Sequence, residues 1–331
     1  SKHFHSYFKK FYDNIFFPVL EERGIDTVID MGDTYDSRKT VDMYTLDWSQ
    51  RNYFDRLRKM GVHLTSIVGN HTAFYKNTNA INTIDLVLRE YDNIDVIVNP
   101  EERIFDKLKV LFVPWISSDE RESSYAAIER STANVCMGHL ELNGFSAHHG
   151  YTMEDGHDTK PFDKFTKVFS GHFHTRSSDG KIFYLGNPYE MYWNDCNDSR
   201  GFHIFDTDTL QLEVINNPYR MYKIIRYEDT PRQLFKFQEY KDLIVKVVVF
   251  QKSNKKEYER FIDALSAVGP YDLKIVEKID GSQLDDTLVE ETEDTVTLLD
   301  KFVDDLETDL DRNKIKTILK NIYQEACEVS V

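Results

Sequence analysis

Four short polar motifs, each directly after an apolar run, constrain the fold of this chain more than any other feature. They are Gly32-Asp33-Thr34-Tyr35-Asp36, Gly69-Asn70-His71, Gly138-His139 and Gly171-His172-Phe173-His174. The runs before them have the length and composition of buried strands. Ligand sites of α/β sheets form at the carboxyl ends of strands. We therefore expect the four motifs to converge on one site.

The first two-thirds of the chain alternates such runs with helical patterns. Strands are predicted at residues 27–31, 64–68, 95–98, 110–114, 134–137 and 167–169, and helices at 8–23, 41–60, 80–91 and 120–131. Beyond His174 the helical patterns stop, and residues 182–185, 202–205 and 210–215 are predicted to form consecutive antiparallel strands. Strands that alternate with helices predict an α/β layered domain.

A second, smaller unit is predicted to begin near Tyr222. Strand-like segments at 222–227, 243–250 and 272–278 enclose an amphipathic helix at 255–268, which indicates a small α+β module. A polar, acidic segment follows, and then two apolar stripes at helical spacing. The predicted organisation is a domain at 1–220, the small domain at 221–280, a linker at 281–294 and a two-helix motif at 295–328.

The residue types of the motifs have the chemistry of metal ligands. An Asp carboxylate such as that of Asp33 can bridge two cations, and imidazoles and the Asn70 oxygen can complete the shells. Mixed nitrogen and oxygen ligands favour Mn, Fe or Zn over Mg or Ca. Two such ions about 3.5–4 Å apart can bind a phosphate and activate a water. Taken alone, Asp33 also fits a helix N-cap and Asn70 a turn, but four motifs in this order favour a metal site.

The charge of the chain is concentrated near its end. The formal net charge is −16, of which residues 277–312 carry −11, so the rest of the chain carries only −5. The acidity therefore says little about the surface around the motifs. The three cysteines have no paired spacing, which is typical of a reducing cytoplasm. No apolar run is long enough to predict a membrane helix.

The four motifs in this order resemble those of the calcineurin-like metallophosphoesterases. Two further segments, His139-Leu140-Glu141-Leu142-Asn143-Gly144-Phe145 and Tyr184-Leu185-Gly186-Asn187-Pro188-Tyr189, resemble the SbcD-type DNA repair and recombination nuclease subunits, in particular their phage branch. The resemblance covers essentially the whole chain. It implies a β-sandwich flanked by helices, a small α+β capping domain that binds DNA, and a C-terminal helical pair.

The resemblance also implies a role for each motif residue. Asp33 would bridge two divalent ions, which in this family are Mn²⁺. One ion would be held by Asn70, His139 and His172, and the other by His174. His71 would be the non-ligand histidine beside the scissile phosphate, which either helps to stabilise the transition state or protonates the leaving oxygen as a general acid.

Two departures from the family pattern affect these roles. No Asp-x-His motif, which supplies two ligands to the metal shared with His174, precedes Asp33, so the chain is interpreted as beginning after the first strand of the family. We therefore expect the second metal to be held poorly and the activity of the chain to be impaired. Thr72 stands where the family has an acidic residue after its GNH motif, which could alter how His71 is oriented.

The leading functional hypothesis is an Mn²⁺-dependent DNA nuclease subunit. Its implied partners are DNA and an SbcC-type coiled-coil ATPase, which would bind residues 295–328, and a homodimer is plausible through residues 41–60. Asp36 and Arg38 are candidate substrate-binding residues: Asp36 is expected close to the metals without being a ligand, and Arg38 either contacts DNA phosphates or has a plain surface role. The alternatives are a phosphoesterase for nucleotides or phosphoproteins, and a non-catalytic scaffold that binds DNA ends or the ATPase.

Overall fold

The chain divides into two compact units. The computed structural model describes residues 1–148, 151–252 and 254–277, and also 302–303, 312, 314–316 and 318–319. The large unit comprises Ser1–Met191 and Asn197–Arg220, and the small unit comprises Tyr192–Cys196 and the chain from Met221 onward.

The large unit contains six α-helices and thirteen strands within its described residues. The helices are α1 (Lys2–Phe11), α2 (Phe17–Arg23), α3 (Met43–Ser49), α4 (Asp55–Met60), α5 (Thr83–Leu88) and α6 (Arg121–Arg130). The strands are β1 (Thr27–Asp30), β2 (His63–Ile67), β3 (Ile94–Ile97), β4 (Glu101–Phe105), β5 (Leu108–Val113), β6 (Val135–Gly138), β7 (Ser146–His148), β8 (Tyr151–Thr152), β9 (Lys167–Ser170), β10 (Ser177–Ser178), β11 (Ile182–Tyr184), β12 (Gly201–Phe205) and β13 (Leu212–Asn216).

Two sheets form the centre of this unit. The first is parallel and has the order β1-β2-β3, and the second has the order β10-β11-β9-β6-β5-β4. Strands β5, β6, β9 and β11 of the second sheet run parallel to one another, while β4 and β10 are antiparallel edges. Strands β12 and β13 form a separate antiparallel pair.

The large unit is layered, as its hydrophobic clusters show. One cluster joins Ile67 and Ile97 of the first sheet to Phe112, Met137 and Phe169 of the second, so the two sheets pack face to face. The outer face of the first sheet packs on the helices α1, α2, α4 and α5, and the outer face of the second packs on α6. This arrangement confirms the predicted α/β class, because each sheet buries both faces.

One predicted pairing is wrong. Residues 182–185 are expected to open an antiparallel run, but β11 pairs in parallel with β9, with Ile182 opposite Val168. The chain makes its antiparallel turn one strand earlier, at the short strand β10, whose Ser177 lies opposite Tyr184. A strand of two polar residues carries no hydrophobic alternation, so the sequence pattern does not reveal it.

The two long predicted helices are each interrupted by a π-helical turn. Tyr12–Phe16 separates α1 from α2, and Gln50–Phe54 separates α3 from α4. The first interruption lets Pro18 lie at the start of α2, where its missing N–H costs no helical hydrogen bond. Asp42 caps α3 by accepting a hydrogen bond from the Thr45 amide, which shortens the predicted helix by two residues at its start.

Between residues 221 and 277, the small unit has a three-stranded parallel sheet and one α-helix in its described residues. The strands are β14 (Tyr222–Arg226), β15 (Ile244–Val249) and β16 (Asp272–Glu277), in the order β14-β15-β16, and α7 (Lys255–Ala267) lies between β15 and β16 in sequence. Strand β15 is buried along its whole length, as expected of the central strand. Asn254 caps α7 through the Glu257 amide.

The last predicted segments lie largely outside the described residues. The linker at 281–294 falls wholly outside them, and of the two-helix motif at 295–328 only a few helical positions are described. Within the described part of the chain, no helix has the length and apolar character needed to span a membrane.

Candidate metal centre

The four motifs follow four strands that come from both sheets. Asp33 follows β1 and Asn70 follows β2 in the first sheet, whereas His139 and His172 follow β6 and β9 in the second. In each sheet these two strands are adjacent and parallel. Their carboxyl ends therefore open at the same edge, where the face-to-face packing brings the two sheets together.

Four side-chain atoms meet at this edge. His139 Nε2 lies 2.9 Å from Asn70 Oδ1, 3.0 Å from Asp33 Oδ2 and 3.2 Å from His172 Nδ1. His172 Nδ1 lies 3.0 Å from Asn70 Oδ1. Neighbouring ligands about 2.1 Å from one ion stand about 3.0–3.4 Å apart, so the spacing fits a single metal shell.

The hydrogen-bonding roles of these atoms also call for a cation. His139 Nδ1 lies 2.9 Å from the Met31 carbonyl oxygen, which can only accept, so Nδ1 carries a proton. In neutral His139, Nε2 is then a lone pair that faces the Asp33 carboxylate. Three acceptors therefore face one another, the Asp33 and Asn70 oxygens and His139 Nε2, and a divalent ion bound among them would remove their mutual repulsion. Asp33, His139 and His172 could thus hold a metal ion.

The backbone of two motif residues is held in the left-handed region. Asp33 has φ 59° and His172 has φ 71°. Asp and His tolerate this region better than most residues, but it costs about 1–3 kcal/mol where the surroundings impose it. Such strain at two of the converging residues is typical of a functional site.

Two glycines permit the close approach of these residues. A side chain at Gly69 would collide with the Asp33 carboxylate and main-chain nitrogen, and one at Gly32 would collide with the His139 ring. Gly69 therefore allows two loops of the first sheet to approach each other, and Gly32 allows a loop of the first sheet to approach His139 of the second.

Burial and mutual charge shift the pKa values of the side chains that converge at this site. Burial raises the pKa of Asp33, but the charge and hydrogen bond of His139 outweigh burial and hold that pKa well below its usual range. Burial lowers the pKa of His139, and Asp33 more than reverses this. Burial, reinforced by the charge of His139, lowers the pKa of His172 to about 3. Burial therefore keeps His172 neutral at pH 7, whereas the neighbouring Asp33 carboxylate favours the protonated form of His139.

His71 is positioned at the rim of this site. Its amide donates a 2.8 Å hydrogen bond to Asp33 Oδ1, which fixes the carboxylate. Its Nδ1 lies 2.9 Å from the Asp36 carbonyl oxygen, so Nδ1 is the donor and Nε2 remains to exchange a proton. The side chain is 43% exposed. Thr72 is buried and closes the Gly69–Thr72 turn through its hydroxyl, so the orientation of His71 depends on Asp36 instead of an acidic neighbour.

The remaining candidates lie around the shell. His174 is not among the three residues that meet as potential ligands, although its charge contributes to lowering the pKa of His172. Asp36 is 67% exposed and reaches His71 through its main chain. Arg38 donates to the carbonyls of Ala73 and Tyr75, so it supports the loop after His71.

Two acidic residues near the site were not predicted from the sequence. Asp30, at the end of β1, accepts hydrogen bonds from the Gly32 amide and the Thr34 hydroxyl, and burial raises its pKa. Glu141 Oε2 lies 3.9 Å from His172 Nε2, and burial raises the pKa of Glu141 as well. In the sequence, only their closeness to the motifs could have indicated them, since Asp30 lies three residues before Asp33 and Glu141 two residues after His139.

Comparison with known proteins places this geometry in a family. No family model matches the chain. The chain is 31% identical over 313 residues to exonuclease subunit 1 of Enterobacteria phage T4, which covers 93% of this chain and 90% of that protein. All four motifs lie within a chain that is matched almost from end to end. The chain therefore belongs to the family of phage exonuclease subunit 1.

Proposed function

We propose that this chain is the metal-dependent DNA nuclease subunit of a double-strand-break repair or recombination complex. The observation that carries the proposal is the convergence of Asp33, Asn70, His139 and His172 on one point, with His71 beside it. The name of the phage relative, an exonuclease subunit, supports a nucleic acid as the substrate and a multi-subunit assembly.

Within this proposal, each residue of the site has a chemical task. Asp33, Asn70, His139 and His172 would hold one divalent ion, and Asp33 with His174 would contribute to a second. Mn²⁺ suits this mixture of nitrogen and oxygen ligands. A bound ion supplies Lewis-acid charge and lowers the pKa of bound water.

His71 would act on the substrate directly. Its Nδ1 proton is committed to the Asp36 carbonyl, so the ring is held in one orientation. In the doubly protonated imidazolium form, Nε2 would carry the second proton and could give it to the departing oxygen of the phosphodiester, which leaves neutral His71 with its proton on Nδ1. The Asp33 carboxylate, fixed by the His71 amide, couples the position of this acid to the metal shell.

The proposed activity predicts hydrolysis of DNA that depends on Mn²⁺. We expect EDTA to abolish hydrolysis of both DNA and bis(p-nitrophenyl) phosphate, and Mn²⁺ to restore both. Calorimetric titration should show at least one Mn²⁺ per chain. Hydrolysis of nucleotides with no cutting of DNA would favour a different phosphoesterase, and DNA binding without any hydrolysis would favour a scaffold.

The proposal also covers the domain organisation of the chain and its binding to an ATPase subunit. Residues 221–280 would form the capping domain, 281–294 a linker, and 295–328 the helices that bind a coiled-coil ATPase. Deletion of 295–328 is expected to prevent co-purification with that ATPase, because the apolar stripes of this segment would be the contact. Mn²⁺ binding by the shortened chain should equal that of the full chain. A shortened chain that still co-purifies would contradict this assignment.

A further inference from the structure

The loop after the metal centre exposes two adjacent aromatic side chains. Phe74 is 40% exposed and Tyr75 is 48% exposed, and their ring centroids are 4.8 Å apart in an edge-to-face arrangement. They belong to residues 72–82, here called the aromatic loop. Phe74 follows His71 by three residues, so its Cα lies within about 11 Å of that of the proposed general acid.

The aromatic loop is held firmly despite the exposure of its rings. Phe74 donates its amide to the Ile81 carbonyl, and Ala73 forms a β-bridge with Asn82. A second set of hydrogen bonds ties the loop to residues 115–120: the Asn79 amide group donates to the Trp115 carbonyl, the Thr78 hydroxyl to Glu120, and the Asn77 amide group to Asp119. The loop therefore presents its rings in a fixed position.

Basic residues lie close to the two aromatic residues. Arg38 donates to the Ala73 and Tyr75 carbonyls and lies over the Trp115 ring, 5.0 Å from its centroid. Lys39 and Lys76 are exposed beside this contact in sequence. Exposed rings flanked by cations are the combination that binds single-stranded nucleic acid, since bases stack on rings and cations attract the phosphates.

We propose that Phe74 and Tyr75 form a stacking platform for an unpaired base of the DNA strand that enters the metal centre. The inference rests on the proposed function and adds to it a preference for single-stranded DNA. A base held on the rings places the next part of the strand toward His71. The platform favours a single strand or a frayed end over a paired duplex, because a paired base has no free face to stack.

The test is a binding measurement on the full chain without divalent ions, so that the strand is not cut. The probe is a single-stranded oligonucleotide with one 2-aminopurine, whose fluorescence falls when it stacks, and the same oligonucleotide in a duplex. In the double variant Phe74→Ala, Tyr75→Ala, we expect single-strand affinity to fall about 5- to 100-fold and the stacking signal to disappear. Duplex affinity should be unchanged.

Three controls keep the result specific. Tyr75→Phe should retain the affinity, because it keeps the ring. Ile104→Ala, which removes a 67% exposed apolar side chain from β4, should also bind as the wild type does. Mn²⁺ affinity of the double variant should be unchanged, which shows that the metal centre is intact.

Several outcomes would overturn the platform. One is wild-type single-strand affinity and quenching in the double variant, and another is an equal loss for single strand and duplex. Loss of Mn²⁺ binding in the double variant would show that the loop acts through the metal shell instead. A wild-type chain that hydrolyses no phosphodiester with Mn²⁺ would contradict the proposed function, whereas the binding comparison would still decide on stacking.

Discussion

Asp33→Asn is expected to lower Mn²⁺-dependent hydrolysis by more than about 100-fold and to weaken Mn²⁺ binding in parallel. Removal of a residue that only hydrogen-bonds to a metal ligand typically lowers metal affinity or activity about 10- to 100-fold. Asp33 is itself a proposed ligand, so its loss should have a larger effect. In this variant, the side-chain oxygen would remain the acceptor of the His71 amide, and the new NH₂ group would face His139 and the ion. Calorimetric titration with Mn²⁺ and the initial rate of DNA hydrolysis measure the two effects.

The matched control for this change is Asp106→Asn. Asp106 also has a left-handed backbone, with φ 53° against 59° for Asp33, but it lies in the exposed turn between β4 and β5. The same chemical change in the same backbone conformation should leave both Mn²⁺ binding and hydrolysis unaltered. Undiminished Mn²⁺ affinity in Asp33→Asn would show that Asp33 is not a metal ligand.

His71→Ala is expected to lower kcat by about 100- to 10,000-fold, the usual contribution of a general acid, with Mn²⁺ still bound. The main-chain amide that fixes Asp33 survives this substitution, so the metal shell should survive as well. The side chain is 43% exposed, and its removal leaves no buried cavity. The informative measurements are kcat for DNA and the number of Mn²⁺ ions bound per chain.

His63→Ala is the control for removal of a histidine. His63 has the same side-chain exposure, 43%, and begins the strand whose other end leads to His71. It pairs with Asp95 at the amino ends of the strands, whereas the metal centre lies at their carboxyl ends. Its loss should therefore leave kcat unchanged. If His71→Ala lost Mn²⁺ together with activity, His71 would be part of the shell and not the acid beside it.

Much of the fold followed from local patterns. The strands that precede the motifs were predicted within about two residues, because buried strands of a parallel sheet are nearly continuous apolar runs. Segments without such a run escaped prediction: β4 begins with three charged residues and has only two apolar ones, and β10 consists of two serines. The π-helical turns in the two long helices also leave no mark in the hydrophobic periodicity.

The ligand set shows the same division. Asp33, Asn70, His139 and His172 could be chosen because each follows a strand end, and the fold brings these four together. Asp30 and Glu141 could not be separated from ordinary acidic residues, because their relevance arises from burial beside the site. The aromatic loop was likewise hidden, since exposed and buried aromatic residues look alike in sequence.

The sequence by itself determined the strand order along the chain, the residues at the strand ends and the kind of chemistry they favour. These depend on contacts between near neighbours and on side-chain type. Only the tertiary structure decided which strands pair, that two sheets meet at one edge, and that the pKa is raised for His139 but lowered for His172. Those properties arise from long-range packing and from burial, which set distances and pKa values between residues far apart in the chain.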